Sequence, residues 1–205
     1  MTISCETTTS KAGRPRSPET HQAIIEATLE LVARDGIQGT SIEAIAAQAG
    51  VGKTAIYRRW ATKEALVLDA LNELHAQVPI VDSGNIHKDL VSFLSDLFHQ
   101  IETHPLLKGL ILRVLGEAKE RPEFLQTLVA RFYTPRRQQW EKLFAQAQQR
   151  GELRSDMDIG LAVSMIMGPA FFHLLTSQIS PTAYTMRDLP ERLVDVVLHG
   201  VGARQ

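Results

Sequence analysis

A single cysteine, Cys5, leaves this chain without an internal disulfide or a thiolate metal cluster to staple it. Net charge is almost absent too. Lysine and arginine number 22 against 23 acidic residues, a balance of -1 that excludes a protein coating nucleic acid by bulk electrostatics. No apolar run matches a bilayer: Ile159 to Leu175 comes nearest, but it contains Ser164, Gly168, Pro169 and His173 and falls short of the roughly 20 residues a span needs. The first residues, MTISCETTTSKAGRPR, lack the apolar segment of a secretory signal, so a cytoplasmic location is expected. Catalytic signatures are missing: there is no GxSxG, no HExxH and no Cys-His partnership. His99 and His104 stand five apart, off the i,i+4 spacing of helical metal ligands. Neither an enzyme, a cofactor nor a metal centre is expected. Gly52-Lys53-Thr54 echoes a phosphate-binding loop, yet Ala47 stands where that loop requires glycine and a helix pattern stands where it requires a strand.

What is present is apolar residue at helical spacing. The 205 residues are 44% hydrophobic, enough to bury a sizeable core, with no strand alternation and no repeat. The pattern predicts an all-α chain of about nine or ten helices. Ser17 and Pro18 read as N-cap and first position of a helix whose inner stripe is Ile24, Ala27, Thr28, Leu31 and Val32, ended by Gly36. Thr40 and Glu43 have capping-box spacing at the start of a short helix carrying Ile42, Ile45, Ala46 and Ala49, and Gly50 turns the chain. A second short helix starts near Gly52, and Thr62 caps a longer one running to about Val78. Beyond a soft boundary at residues 79–85, Leu90, Leu94, Leu97 and Ile101 mark a helix stopping before Pro105, and Leu106 to Leu115 one ending near Gly116. A helix from Pro122 reaches Tyr133, after which Pro135 either opens a new helix or kinks one long one. Asp156 or Asp158 starts the apolar helix to about Ser177. A last helix shows Leu189, Leu193, Val196 and Val197.

From Gly52 to Lys63 there is no acid, while Lys53, Arg58 and Arg59 alternate with Thr54, Tyr57 and Trp60. Two short helices joined by a glycine turn, the second basic, form a helix-turn-helix, and the second helix of that motif enters a DNA major groove. Arg58 and Arg59 can reach phosphates, or for Arg58 a guanine edge. Thr62 with Lys63, and Thr40 with Ser41, stand at helix N-termini where backbone N-H groups attract phosphate.

The run AGVGKTAIYRRW followed by TKEAL, with a basic arm ahead of the first helix, resembles the N-terminal domain of TetR-family transcriptional repressors from about Gly13 to Leu66. The resemblance implies base contacts from Lys53 and Thr54, with Ala55 beside them, a phosphate contact from the Tyr57 hydroxyl with its ring packed back on the core, and a minor-groove role for Arg14 and Arg16. Gly52 departs from the more usual serine, removing an N-cap hydroxyl. It further implies a C-terminal half that dimerises through its last two helices and encloses a small-molecule pocket. Leu161, Met165, Phe172, Leu193, Val197 and Val201 are the expected interface. Phe93, Leu97, Ile101, Leu110, Trp140, Phe144, Met165 and Phe171 are the expected pocket wall, with His99 or His173 as polar anchor and a hydrophobic effector inside. The domains expected are a flexible arm at 1–16, a DNA-binding domain at 17–62 and an effector and dimerisation domain at 63–205. A homodimeric regulator of double-stranded DNA is the expected function, a repressor first, with an activator built from the same parts as one alternative. A helical small-molecule-binding protein whose N-terminal domain docks to protein is the alternative from another class.

Overall fold

The computed structural model describes residues 18–103, 105–176 and 187–200. Among them the fold is entirely helical: α1 (Pro18–Gly39), α2 (Ile42–Gln48), α3 (Lys53–Tyr57), α4 (Lys63–Ala76), α5 (Ile86–Thr103), α6 (Pro105–Glu120), α7 (Pro122–Leu128), α8 (Thr134–Gln149), α9 (Ile159–Thr176) and α10 (Leu189–His199). The expected Ser17 cap and Val201 lie outside the described residues.

Three apolar clusters organise these helices, and α1 and α4 run from one cluster to the next. Ile24, Ile25 and Leu31 of α1 meet Ile42 and Ile45 of α2, Ile56 of α3 and Leu66 of α4. Further along the same two helices, Val32, Ile37, Val67 and Leu71 pack with Leu110 and Val114 of α6 and with Phe124 and Leu128 of α7. The third cluster joins α5, α8, α9 and α10 through Leu90, Phe93, Phe98, Trp140, Phe144, Ile166 and Val194. Each such side chain contributes roughly 1.5–3 kcal/mol by leaving water.

Local chemistry sets the breaks. Gly36, with φ 80 and ψ 174, interrupts α1 as the glycine pattern predicts. The capping box does not form: Ser41, one residue beyond Thr40, caps α2 by accepting Ala44 N-H at 3.1 Å. Thr40 is buried and its hydroxyl donates to the Gly36 carbonyl at 2.7 Å. Thr62 caps α4 as expected, accepting Ala65 N-H at 3.1 Å. Asp158, of the two candidates, caps α9 by accepting Leu161 N-H at 2.9 Å.

One boundary differs from expectation and one open alternative is resolved. Gly116 does not end α6, which continues to Glu120; the continuation buries Ala118 and carries Glu117 to the α1 break. At Pro135 the chain takes the second of the two expected courses, one continuous helical path rather than a new helix. Thr134 is helical (φ -61, ψ -46), and Val129–Tyr133 winds as a π-helical turn between α7 and α8. Pro135 lacks the N-H that would return to the Arg131 carbonyl and its ring crowds that position, so the wider turn takes up the strain.

Candidate nucleic-acid interface and ligand cavity

Ile56 is fully buried and Trp60 is 7% exposed, and these two fasten the α3 segment to the first cluster. The Trp60 indole N-H donates to Asp69 at 2.8 Å and its ring stacks on His21 at 5.3 Å. With that side committed inward, Lys53, Thr54, Tyr57 and Arg58 are left exposed on the opposite face, and Ala55 is half-buried beside them. Gly52 supplies no side-chain cap to α3. Gly50, at φ 66, makes the turn into it. The Lys53 ammonium donates to Glu43 of α2 at 2.9 Å, and this mutual hydrogen bond holds the lysine pKa up and the carboxyl pKa down. Ser41 and Thr62 stand exposed at helix starts on the same module, and Arg59 is partly buried with one terminal nitrogen lacking an acceptor.

Three expectations are corrected. Tyr57 does not pack its ring on the core; it is 53% exposed, because Ile56 and Trp60 already fill the inward positions. Thr40 offers no hydroxyl to a phosphate, being 2% exposed and bonded inward. Lys63 is not a free cation at a helix start: its ammonium donates to the carbonyls of Ile37 (2.5 Å) and Thr40 (2.6 Å). Arg14 and Arg16 lie outside the described residues.

Lys63 is half of a clamp on the α1–α2 junction. From the other side the Glu117 carboxylate accepts Ile37 N-H at 3.0 Å and Gln38 N-H at 2.9 Å. A Cβ on Gly36 would lie 2.0 Å from a Glu117 oxygen, so the junction needs glycine for space as well as for its backbone angles. Arg121, just past α6, donates to Glu64 of α4 at 2.8 Å. Reading the sequence alone places Glu117 among scattered downstream acids. Only the fold brings it to residues some eighty positions earlier.

The C-terminal half contains a cavity of about 350 Å³, away from the residues expected to line one. Its wall comes from Asn72, His75 and Ala76 of α4, Pro79 and Ile80 of the following segment, Phe132 of the π turn, and Pro135, Arg136 and Gln139 of α8. Phe93, Ile101, Trp140 and Phe144 are instead packed core, with Leu97 against them, and Leu110 belongs to a different cluster. His99, Met165 and Phe171 face outward, and the His173 side chain lies outside the described residues. The aromatic stripe of α8, Trp140 and Phe144, is spent on the third cluster, which leaves Pro135, Arg136 and Gln139 to line the cavity. His75 packs edge-on against Phe132 at 4.6 Å. Burial, and then the charge of Arg136, push its imidazole down to about 4, so it is neutral at ordinary pH.

Of the expected interface residues, Leu161 (60% exposed), Met165 and Phe172 (65%) form an outward stripe on α9, and Val196 of α10 is also exposed. Leu193 is buried inside its own subunit with Val197 packed against the same cluster, which corrects both assignments.

Comparison with known proteins decides the family. The profile of bacterial regulatory proteins of the tetR family matches residues 24–70, and that of the tetracyclin repressor-like C-terminal domain matches residues 80–197. The chain belongs to the TetR family of transcriptional regulators. It is 32% identical over 182 residues to the HTH-type transcriptional regulator YdeS of Bacillus subtilis, covering 88% of this chain and 90% of that protein. Among solved structures, the TetR-family regulator SCO0332 superposes with a TM-score of 0.70 at 24% identity, over 90% of this chain and all of the other. FadR of Bacillus subtilis in complex with stearoyl-CoA gives 0.69 at 20% identity, over 89% and 100%. These two likenesses concern the fold.

This TetR-family chain is thus a DNA-binding regulator of transcription and not an enzyme. No helix among the described residues is long and apolar enough to cross a membrane. One cluster escaped the reading of the sequence: ligand-type atoms of His21, Asp69 and Glu73 lie within 4.8 Å of one another. They already serve one another and the core, since His21 is hydrogen-bonded to Glu73 and Asp69 accepts the Trp60 N-H. Asp69 and Glu73 share an i,i+4 face, but no sequence signal ties His21 to them.

Proposed function

We propose that the protein is a homodimeric repressor, acting in the cytoplasm, that holds a palindromic operator with two α3 helices and releases it when a small effector enters the C-terminal cavity. The observation that carries this reading is the outward face of α3, where Lys53, Thr54, Tyr57 and Arg58 stand exposed on a base of buried Ile56 and Trp60. A helix presented in this way fits a major groove roughly 12 Å wide. Lys53 and Thr54 read bases, Ala55 lies against a thymine methyl, and Tyr57, Arg58, Arg59, Ser41 and Thr62 position the backbone, aided in the minor groove by Arg14 and Arg16. Lys53 exchanges Glu43 for a guanine acceptor on binding.

The apolar stripe of Leu161, Met165 and Phe172 supports dimerisation, because a face of that kind on a soluble helix seeks cover. Release follows from α4. Its C-terminal part lines the cavity and its first residue, Lys63, grips the α1–α2 junction about 20 Å away. An effector that binds one setting of α4 better than the other shifts the spacing of the recognition helices, and operator affinity falls by no more than that difference in binding. FadR, seen with stearoyl-CoA, is a fold relative caught with a ligand.

Selection of random duplexes by the full-length protein tests the reading. Enrichment of an inverted repeat with half-sites about one DNA turn, roughly 34 Å, apart supports it. Absence of any enriched duplex, or binding that ignores salt, overturns it.

A further inference from the structure

Resting on the reading of that cavity as the effector site, we infer that the effector is an organic anion, a small carboxylate with an apolar body whose charge is received by Arg136. Among the nine lining residues Arg136 is the one with a permanent charge, and none is acidic. Among the described residues no carboxylate lies within ion-pair distance of its guanidinium. The group has one hydrogen-bond partner, the Val78 carbonyl, and sits over the Phe93 ring at 5.4 Å. Its Nε is buried with no acceptor.

One helical turn on, the Trp140 indole N-H is also buried and unpartnered, in a residue 2% exposed. The Phe93 ring touches both groups, meeting Trp140 edge-on at 4.5 Å. Two buried donors without acceptors, i and i+4 on one helix, are a deficit that folded proteins seldom carry, because each orphan forfeits its hydration. Burial meanwhile works against the charge of Arg136. Of the two donors, Arg136 lines the cavity. An acceptor-rich anion there supplies both the acceptor its Nε lacks and a countercharge; a neutral ligand supplies only the first and a cation worsens the second.

The rest of the wall defines the body. Phe132, Ile80, Pro79 and Pro135 are apolar, while Asn72 and Gln139 offer neutral hydrogen bonds. A volume of about 350 Å³ falls at the small end of the roughly 300–1,000 Å³ range of ligand sites. A single guanidinium balances a single charge, which favours a monocarboxylate over a phosphate dianion.

Calorimetric titration of the full-length protein, free of DNA, tests this with benzoate, naphthylacetate and decanoate, each paired with its primary amide, and with inorganic phosphate. At least one acid is expected to bind about tenfold to a hundredfold more tightly than its amide, the span of one charge-assisted contact. Arg136→Gln is expected to erase that preference while the amide affinity stays. Arg136→Lys, which keeps the charge and most of the stem, is expected to retain part of it and serves if the glutamine variant does not fold. Equal affinity for acid and amide, binding by none of the acids, a preference that survives Arg136→Gln, or phosphate as the best probe each overturns the inference. The two readings fail separately. An inverted repeat selected from random duplexes together with equal acid and amide binding sinks the anion assignment alone, whereas Arg136-dependent acid binding that leaves the operator complex intact sinks the effector role alone.

Discussion

The junction Gly36–Thr40 and the recognition helix Lys53–Tyr57 lie in one small module, yet they are held in opposite ways. The junction is gripped from α6 by a carboxylate on two N-H groups, from α4 by an ammonium on two carbonyls, and internally by the Thr40 hydroxyl. The recognition helix has five residues, one of them buried, and begins without a side-chain cap. So the chain fixes the frame and leaves the polar groups of α3 exposed, with Lys53 tied only to the equally exposed Glu43. Lys63 and Glu117 tie that frame to α4 and α6.

Gly36→Ala attacks the frame most severely. Its backbone angles fall in a region nearly closed to other residues, and the added Cβ displaces Glu117 from its two N-H groups. The expected cost is about 2–4 kcal/mol of folding stability, measured by denaturant titration. Lys63→Ala leaves two carbonyls unpaired and is expected to cost about 1–2 kcal/mol by the same assay. It also lowers DNA affinity without changing the salt slope. A slope flattened by about one unit would instead make Lys63 a phosphate contact and blur the comparison.

Lys53→Ala probes the free side. The midpoint of unfolding is expected to stay put, while preference for the operator over a duplex with an altered half-site falls on the order of tenfold. Equal loss on both duplexes would remove Lys53 from base reading. The smallest effect is acid sensitivity of the frame. The hydrogen bond from Arg121 holds the Glu64 carboxyl below its ordinary 4.5 against the opposing effect of partial burial, so its contribution to stability is fully present above that value. It is lost as pH falls through the lower folded value, and Arg121→Gln should remove that component, worth below about 1 kcal/mol for a pair exposed by about a third.

Features governed by near neighbours could be read before folding. The break at Gly36, the Thr62 cap, the Gly50 turn and the inward Ile42, Ile45 and Ala46 depend on spacings of a few residues, and each is found as expected. The capping box failed by one position because Thr40 finds a nearer acceptor in Gly36. Lys63 is misread and Glu117 passed over for another reason: a charged side chain looks the same in sequence whether it faces water or the backbone of a distant helix. The cavity was misplaced because aromatic residues at helical spacing say which face of α8 is apolar, not which neighbour that face meets.

Val129–Tyr133 winds more slowly than the helices on either side, so α8 is indexed out of step with α7. Removing one residue from that turn would rotate α8 by roughly 100° relative to α7, carrying Arg136 and Trp140 off together. Insertion or loss of one codon there re-aims Pro135, Arg136 and Gln139 together while the pattern within each helix survives. The chemical taste of the cavity is therefore adjustable through chain length alone, with no substitution in its lining.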